Sequence, residues 1–208
     1  MLDAGCLLRV AGWLGWMDKA TIDLSPFSLF YRPQDQRERI AVRLEFERLK
    51  PGYRPQCNPR VLSELSQVSG FITTGRLFLP YTSSIVVAET PEEILSDKIR
   101  ALFERGFIKG RDVYDYWWMT TQLHIHVDWS RVQSKLAMYE AQFVPARDAD
   151  FFQTPSGLAA VREALNADLP RFIAPNLFSL HQAEGFGRMI DPLRRLPVDR
   201  IREAITCA

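Results

Sequence analysis

"TPEEILSDKIRALFERGFIKGRDVYDYWWM", residues 90–119, reads as two helices joined by a short loop, and the first carries a lysine where its apolar stripe should continue. Its start has three agreeing signals. Thr90 is a side-chain cap, Pro91 suits the first helical position because its missing N–H would be unpaired there anyway, and Glu93 stands three residues after the cap as in a capping box. From there the stripe is predicted to run Ile94, Leu95, position 98, Ala101 and Leu102, the i, i+1, i+4, i+7, i+8 spacing of one helix face. Position 98 is a lysine. Gly106 and Gly110 bracket a five-residue connection, so a second helix, starting at Arg111 or Asp112, is predicted to return antiparallel to the first.

Counting outward from Ile108 puts Lys98 level with Trp118 and within about one turn of Asp115. On the second helix Asp112, Asp115, Tyr116 and Met119 share a face by their i, i+3, i+4, i+7 spacing. The lysine is thus aimed at two carboxylates. Burying an unpaired ammonium costs on the order of a whole domain's spare stability, so Lys98 needs a partner. Asp112, Asp115 or the phosphate of a ligand would each serve. A structural ion pair tying two helices together and a ligand site both remain open at this point. By the same reasoning Arg105 is a snorkelling surface residue or a ligand clamp, and Arg111 a helix-start partner or a clamp. Trp117 and Trp118 are expected to fill core space, with a stacking platform for a base as the alternative.

Upstream, Thr21–Tyr31 and Arg39–Leu49 are strand-like runs predicted to form a β-hairpin across a polar connection. Alternation places Val42, Leu44 and Phe46 on one face of the second strand and Arg43, Glu45 and Glu47 on the other. Pro51–Gly75, rich in Pro, Gly, Ser and Asn, reads as a partly ordered excursion with a short helical stretch near Val61–Val68. Leu77–Leu79 and Ile85–Ala88 are predicted short strands. Downstream, helices are predicted from Asp128 to about Ala141, from Ser156 to about Leu165, over Leu169–Leu180 and Phe186–Leu196, and from Pro197 through Ile205. His124 and His126 form an H-x-H pair without a nearby third ligand, which favours a solvated loop over a metal site. The G-F-G of "HQAEGFGRM" follows no strand, so it is no phosphate loop.

The 208 residues carry a net charge of +1, which argues against a general polyanion-binding surface. Tyr31–Arg60, with eight Arg/Lys against four Asp/Glu, is a local exception that could face phosphates. Three cysteines far apart in sequence make neither a disulfide framework nor a zinc site, which points to the cytoplasm. No apolar run reaches the roughly 18 residues needed to span a bilayer, and the start lacks the basic region of a signal peptide. Residues 2–14 read as the end of an amphipathic helix with no cap or lead-in, so an N-terminal part is expected to be missing.

The quoted run resembles the signature of the AbiEii/AbiGii-type nucleotidyltransferase toxin family, an "EIL-x-x-K-x-x-A-L-x-x-R" helix followed by a Gly-containing turn and "GRDxYD". Lys98, Arg105, Gly110, Arg111, Asp112, Tyr114 and Asp115 match it. The resemblance is specific over these thirty residues and looser, by order of elements, from about Leu2 to Leu136. It implies an α+β protein: a residual mixed sheet of a nucleotidyltransferase-like domain over residues 1–88, then a helical C-terminal bundle over 89–208. It further implies transfer of a nucleotide from an NTP to an RNA acceptor, tRNA above all, in a toxin–antitoxin system of phage defence by abortive infection, with a cognate antitoxin. By resemblance Lys98, Asp112 and Asp115 are the catalytic residues and Lys98, Arg105 and Arg111 bind the nucleotide. "Leu44-Glu45-Phe46" matches the apolar-acid-apolar setting of the family's metal carboxylate, so the resemblance implies Mg²⁺ at Glu45, while the residues alone equally allow a solvent-side strand acid paired with Arg43. One departure stands against activity. The Gly-Ser turn and acid-x-acid pair that supply the family's first two metal ligands are absent: Gly12-Trp13 with Asp23-Leu24-Ser25 offers one acid only. The sequence therefore leaves a truncated enzyme, a catalytically inactive remnant and a non-enzymatic protein or RNA interaction module as alternatives.

Overall fold

The computed structural model describes residues 49–61, 64 and 85–207, together with the backbone of three strands between residues 21 and 43. The chain divides into two compact units, Met1–Glu47 and Arg48–Ala208. In the first, β1 (Thr21–Leu24), β2 (Phe27–Tyr31) and β3 (Ile40–Arg43) form an antiparallel sheet in the order β1-β2-β3. The predicted hairpin is the β2–β3 pair, with Ser28 opposite Arg43 and Tyr31 opposite Ile40. The run Thr21–Tyr31, however, is two strands rather than one, since Leu24 pairs with Phe27. The apolar alternation on either side concealed the break between the two strands.

The second unit holds β4 (Cys57–Val61) antiparallel to β5 (Ile85–Glu89). β5 agrees with the predicted strand. β4 replaces part of the predicted excursion, and Val61 ends this strand instead of opening a helix. Pro59 hid it from the sequence, but among the described residues β4 pairs only with β5 and is an edge strand, where a residue without an N–H is tolerated. Both ladders are antiparallel, so the strands described do not form the mixed sheet that was expected. Glu45, Leu77–Leu79 and most of Val61–Val68 lie outside the described residues.

The rest is helical: α1 (Pro91–Glu104), α2 (Gly110–Thr121), α3 (Trp129–Ala137), α4 (Pro155–Asp168), α5 (Pro175–Ala183), α6 (Gly187–Arg194) and α7 (Val198–Thr206), with short 3₁₀ turns at Phe151–Gln153 and Leu169–Arg171. The protein is thus α+β and mostly helical. The α1–α2 pair lies at the centre, with α3 packed on α1, α7 behind α3, and α4 and α6 packed on α2. Leu95, Ile99, Leu102 and Phe103 of α1 meet Val113, Tyr116 and Met119 of α2, Val132 and Leu136 of α3, Val161 and Leu165 of α4, and Met189, Ile190 and Leu193 of α6 in one core. Gly110 lets the start of α2 approach α4 closely: a Cβ there would lie 2.4 Å from the Ala164 carbonyl oxygen. None of the described helices is long and apolar enough to cross a membrane.

Candidate functional site

Helix α1 starts as the sequence indicates, with Pro91 in its first turn and the Thr90 hydroxyl accepting from the Glu93 N–H at 3.4 Å. The capping box is only half made. The Thr90 N–H donates to the Gln56 carbonyl, and the Glu93 carboxylate turns inward. This sets the register of the buried face as Leu95, Ile99, Leu102 and Phe103, so Ile94 is exposed and Lys98 sits at the edge of the stripe rather than in its middle.

That edge faces α2. Lys98 Nζ donates to Asp112 Oδ1 at 3.2 Å and to Asp115 Oδ2 at 2.6 Å, the geometry that the spacing predicts. Arg105, the C-cap of α1, donates from Nη1 to the other oxygen of Asp112. Its backbone is fixed in turn by Arg147, whose guanidinium reaches the Leu102 and Arg105 carbonyls at 2.9 and 2.6 Å. The last turn of α1 has no basic residue of its own, so Arg147 places the positive charge that the helix C-terminus favours. Asp112 is only 4% exposed and lies in the first turn of α2, where an acid is favoured. Lys98 is 22% exposed, and Asp115 and Arg105 are more open still. Two cations and two carboxylates thus form a neutral cluster, anchored inside by Asp112 and open to solvent on its outer edge.

Arg111 does not join it. Its guanidinium lies 5.5 Å from the ring centroid of Phe172. Trp117 is buried as expected, with its ring 5.6 Å from that of His181. Trp118 is not core: it is 42% exposed. His124 and His126 are both exposed.

A second cluster went unread in the sequence. Lys135 of α3 is 1% exposed, and its Nζ lies 3.0 Å from Glu89 Oε1, 3.0 Å from Glu93 Oε2 and 2.9 Å from Asp97 Oδ2. Burial alone would push the Lys135 pKa down, but the three carboxylates outweigh it and hold the ammonium above its usual range. Burial pushes the Asp97 carboxyl up to about 6, against the pull of Lys135 and with a further push from Glu89. Burial also pushes Glu93 up, yet the Gln56 N–H, Lys135 and Arg131 together leave it below its ordinary value. Three acids thus share one ammonium, and Asp97 also accepts from the Tyr139 hydroxyl at 3.3 Å. The signal was present: Val132, Lys135 and Leu136 follow i, i+3, i+4, so this lysine also interrupts an apolar face.

The sequence matches the family described as nucleotidyl transferase AbiEii toxin, type IV toxin–antitoxin system, over residues 17–205. The chain belongs to the AbiEii toxin family. No curated protein and no solved structure matches it. Membership in this toxin–antitoxin family implies a cognate antitoxin.

For an AbiEii-family chain the metal question is specific, because Mg²⁺ needs carboxylate oxygens free to ligate it. Both oxygens of Asp112 accept from cations, and Asp115 accepts from Lys98. Among the described residues no group of three or more His, Cys, Asp or Glu side chains is placed to hold a metal ion. The described residues do not fit the ion, and Glu45, the acid assigned to it by resemblance, lies outside them.

Proposed function

We propose that this chain transfers a nucleotide from an NTP to an RNA acceptor, tRNA in the first instance, in the cytoplasm and as the toxin of a phage-defence system. In this reading the Lys98–Arg105 cluster meets the triphosphate. The supporting observation is the asymmetry of the cluster: Asp112, buried, holds Lys98 and Arg105 in place, while the more open Asp115 occupies the side of Lys98 that an anion would take. A phosphate oxygen arriving there displaces the Asp115 carboxylate from Nζ and leaves the Asp112 contacts intact. Asp115 is then a carboxylate beside the phosphate, within reach of an acceptor hydroxyl. In the transfer that hydroxyl oxygen bonds to the α-phosphorus, the bond from α-phosphorus to the bridging oxygen breaks, pyrophosphate leaves, and the proton passes to Asp115. Asp112, with both oxygens engaged, positions the cations in this scheme. Arg111, turned to Phe172, is outside the triphosphate site.

One observation favours the alternative of an inactive remnant or interaction module: two cations cancel two carboxylates, as in a strut between helices. Incubating the purified chain with labelled NTPs, Mg²⁺ and total tRNA separates the readings. Transfer of label to RNA that is lost in Lys98→Ala and Asp115→Asn supports the enzyme. Absence of transfer by the wild-type chain supports the strut.

A further inference from the structure

Scattered exposed rings are ordinary on a protein surface, but on α2 they fall in one stripe. Arg111, Tyr114, Asp115 and Trp118 are spaced i, i+3, i+4, i+7 and share the outward face. The rings of Tyr114 and Trp118 lie nearly parallel, with centroids 6.2 Å apart and an interplanar angle of 13°, and the indole is half-exposed. One end of the stripe continues into Arg111 and Phe172, the latter 56% exposed. Among the described residues no carboxylate pairs with Arg111. Aromatic faces therefore alternate with an unneutralised cation, and the stripe passes Asp115, a member of the phosphate cluster.

We propose that this stripe is a stacking ledge for the bases of single-stranded RNA: Trp118 is the platform, Tyr114 supports it, Phe172 is a second platform, and Arg111 is placed for a backbone phosphate. The proposal rests on the RNA-acceptor reading above and names the surface that would present the acceptor. Flat rings offer a π-face that any unpaired base can cover, whereas the bases of a duplex are already stacked on one another. The cation is the element a purely apolar protein contact would not need. Spacing also agrees. Asp115 lies about 4.5 Å along the helix from Trp118, and the ledge from Arg111 to Trp118 runs about 10 Å, long enough for more than one base. A nucleotide on Trp118 thus has its sugar one helical turn from the carboxylate that takes the acceptor proton.

The test uses the full chain and a fluorescently labelled single-stranded RNA dodecamer, with its duplex form and a labelled NTP measured in parallel. Trp118→Ala is expected to weaken single-strand binding by about tenfold or more, and Trp118→Phe by much less, since a phenyl ring retains a stacking face. Duplex is expected to bind more weakly than single strand. Circular dichroism of each variant checks folding, and because Trp118 is outside the core, Trp118→Ala should keep the helical signal. Wild-type affinity for the dodecamer in Trp118→Ala, or no binding by the wild-type chain, overturns the ledge. Self-association of the wild-type chain that Trp118→Ala abolishes without loss of RNA affinity also overturns it and makes the stripe a protein contact. If Trp118→Ala loses RNA while Lys98→Ala retains NTP, the ledge stands and the phosphate reading falls; the converse result leaves the phosphate reading and removes the ledge.

Discussion

Replacing Lys135 by Met removes one charge and keeps most of the aliphatic stem, so it isolates what the buried ammonium contributes. Truncating one partner of a buried ion pair costs about 3–5 kcal/mol because the remaining charge is left uncompensated. The structure puts this case at the low end. Of the three carboxylates, only Glu93 is deeply buried, and it keeps the Gln56 N–H at 3.1 Å and Arg131 at 2.8 Å. Glu89 and Asp97 are each about a third exposed and can turn toward water. A loss of about 3 kcal/mol lowers the melting temperature of a unit of this size by about 6–12 °C. Circular dichroism melts at pH 7 measure it. The pH dependence has a defined sign. Without the ammonium, burial and mutual repulsion hold the folded carboxyls above their unfolded pKa, so the penalty is present at pH 7 and shrinks as pH falls toward 5. A variant melting within about 2 °C of wild type at pH 7, or a gap that widens in acid, would refute the reasoning.

Three further outcomes follow from the same contacts. Gly110→Ala forces a Cβ against the Ala164 backbone and is expected to cost about 1–3 kcal/mol, seen as a lower thermal midpoint, while Gly106→Ala, with nothing within 4 Å of the added carbon, is expected to be near neutral. Asp97 has a folded pKa of about 6, raised from 3.8, so the folded state binds the extra proton and wild-type stability falls as pH rises between those values. Asp97→Asn lacks that titration, and its midpoint should rise relative to wild type between pH 4 and pH 7 in a melt series. Asp112→Ala strips Lys98 and Arg105 of their shared acceptor; both cations are partly exposed and can rehydrate, so urea unfolding should show a loss of about 1–2 kcal/mol.

Much of the α1–α2 pair was legible because local chemistry and tertiary packing agree there. Thr90 and Pro91 set the helix start, Gly106 to Gly110 set the return, and the two together place Lys98 opposite Asp112 and Asp115. What escaped is where distant partners override a local rule. Glu93 reads as a capping-box acid but turns inward, because Gln56, Arg131 and Lys135 offer it more than the Thr90 N–H does. That inward turn accompanies the stripe register that puts Ile94 in water and Lys98 at an edge. Pro59 hid β4 from the sequence, and the run Thr21–Tyr31 looked continuous although Leu24 pairs with Phe27. Trp118 shows the limit of residue type as a guide: a tryptophan beside a buried tryptophan is expected inside, and only helix phase decides that Trp117 faces the core and Trp118 does not. Helix starts at Asp128 and after Pro197 were legible from capping and proline chemistry alone.

The most direct measurement of the central claim is the affinity of the purified chain for a labelled NTP, titrated side by side for wild type, Lys98→Ala and Arg105→Ala. Saturable binding that weakens at least tenfold in each variant is the result expected if these two cations receive the triphosphate. Equal affinity in all three proteins would contradict it, and would leave the α1–α2 cluster as a tie between helices.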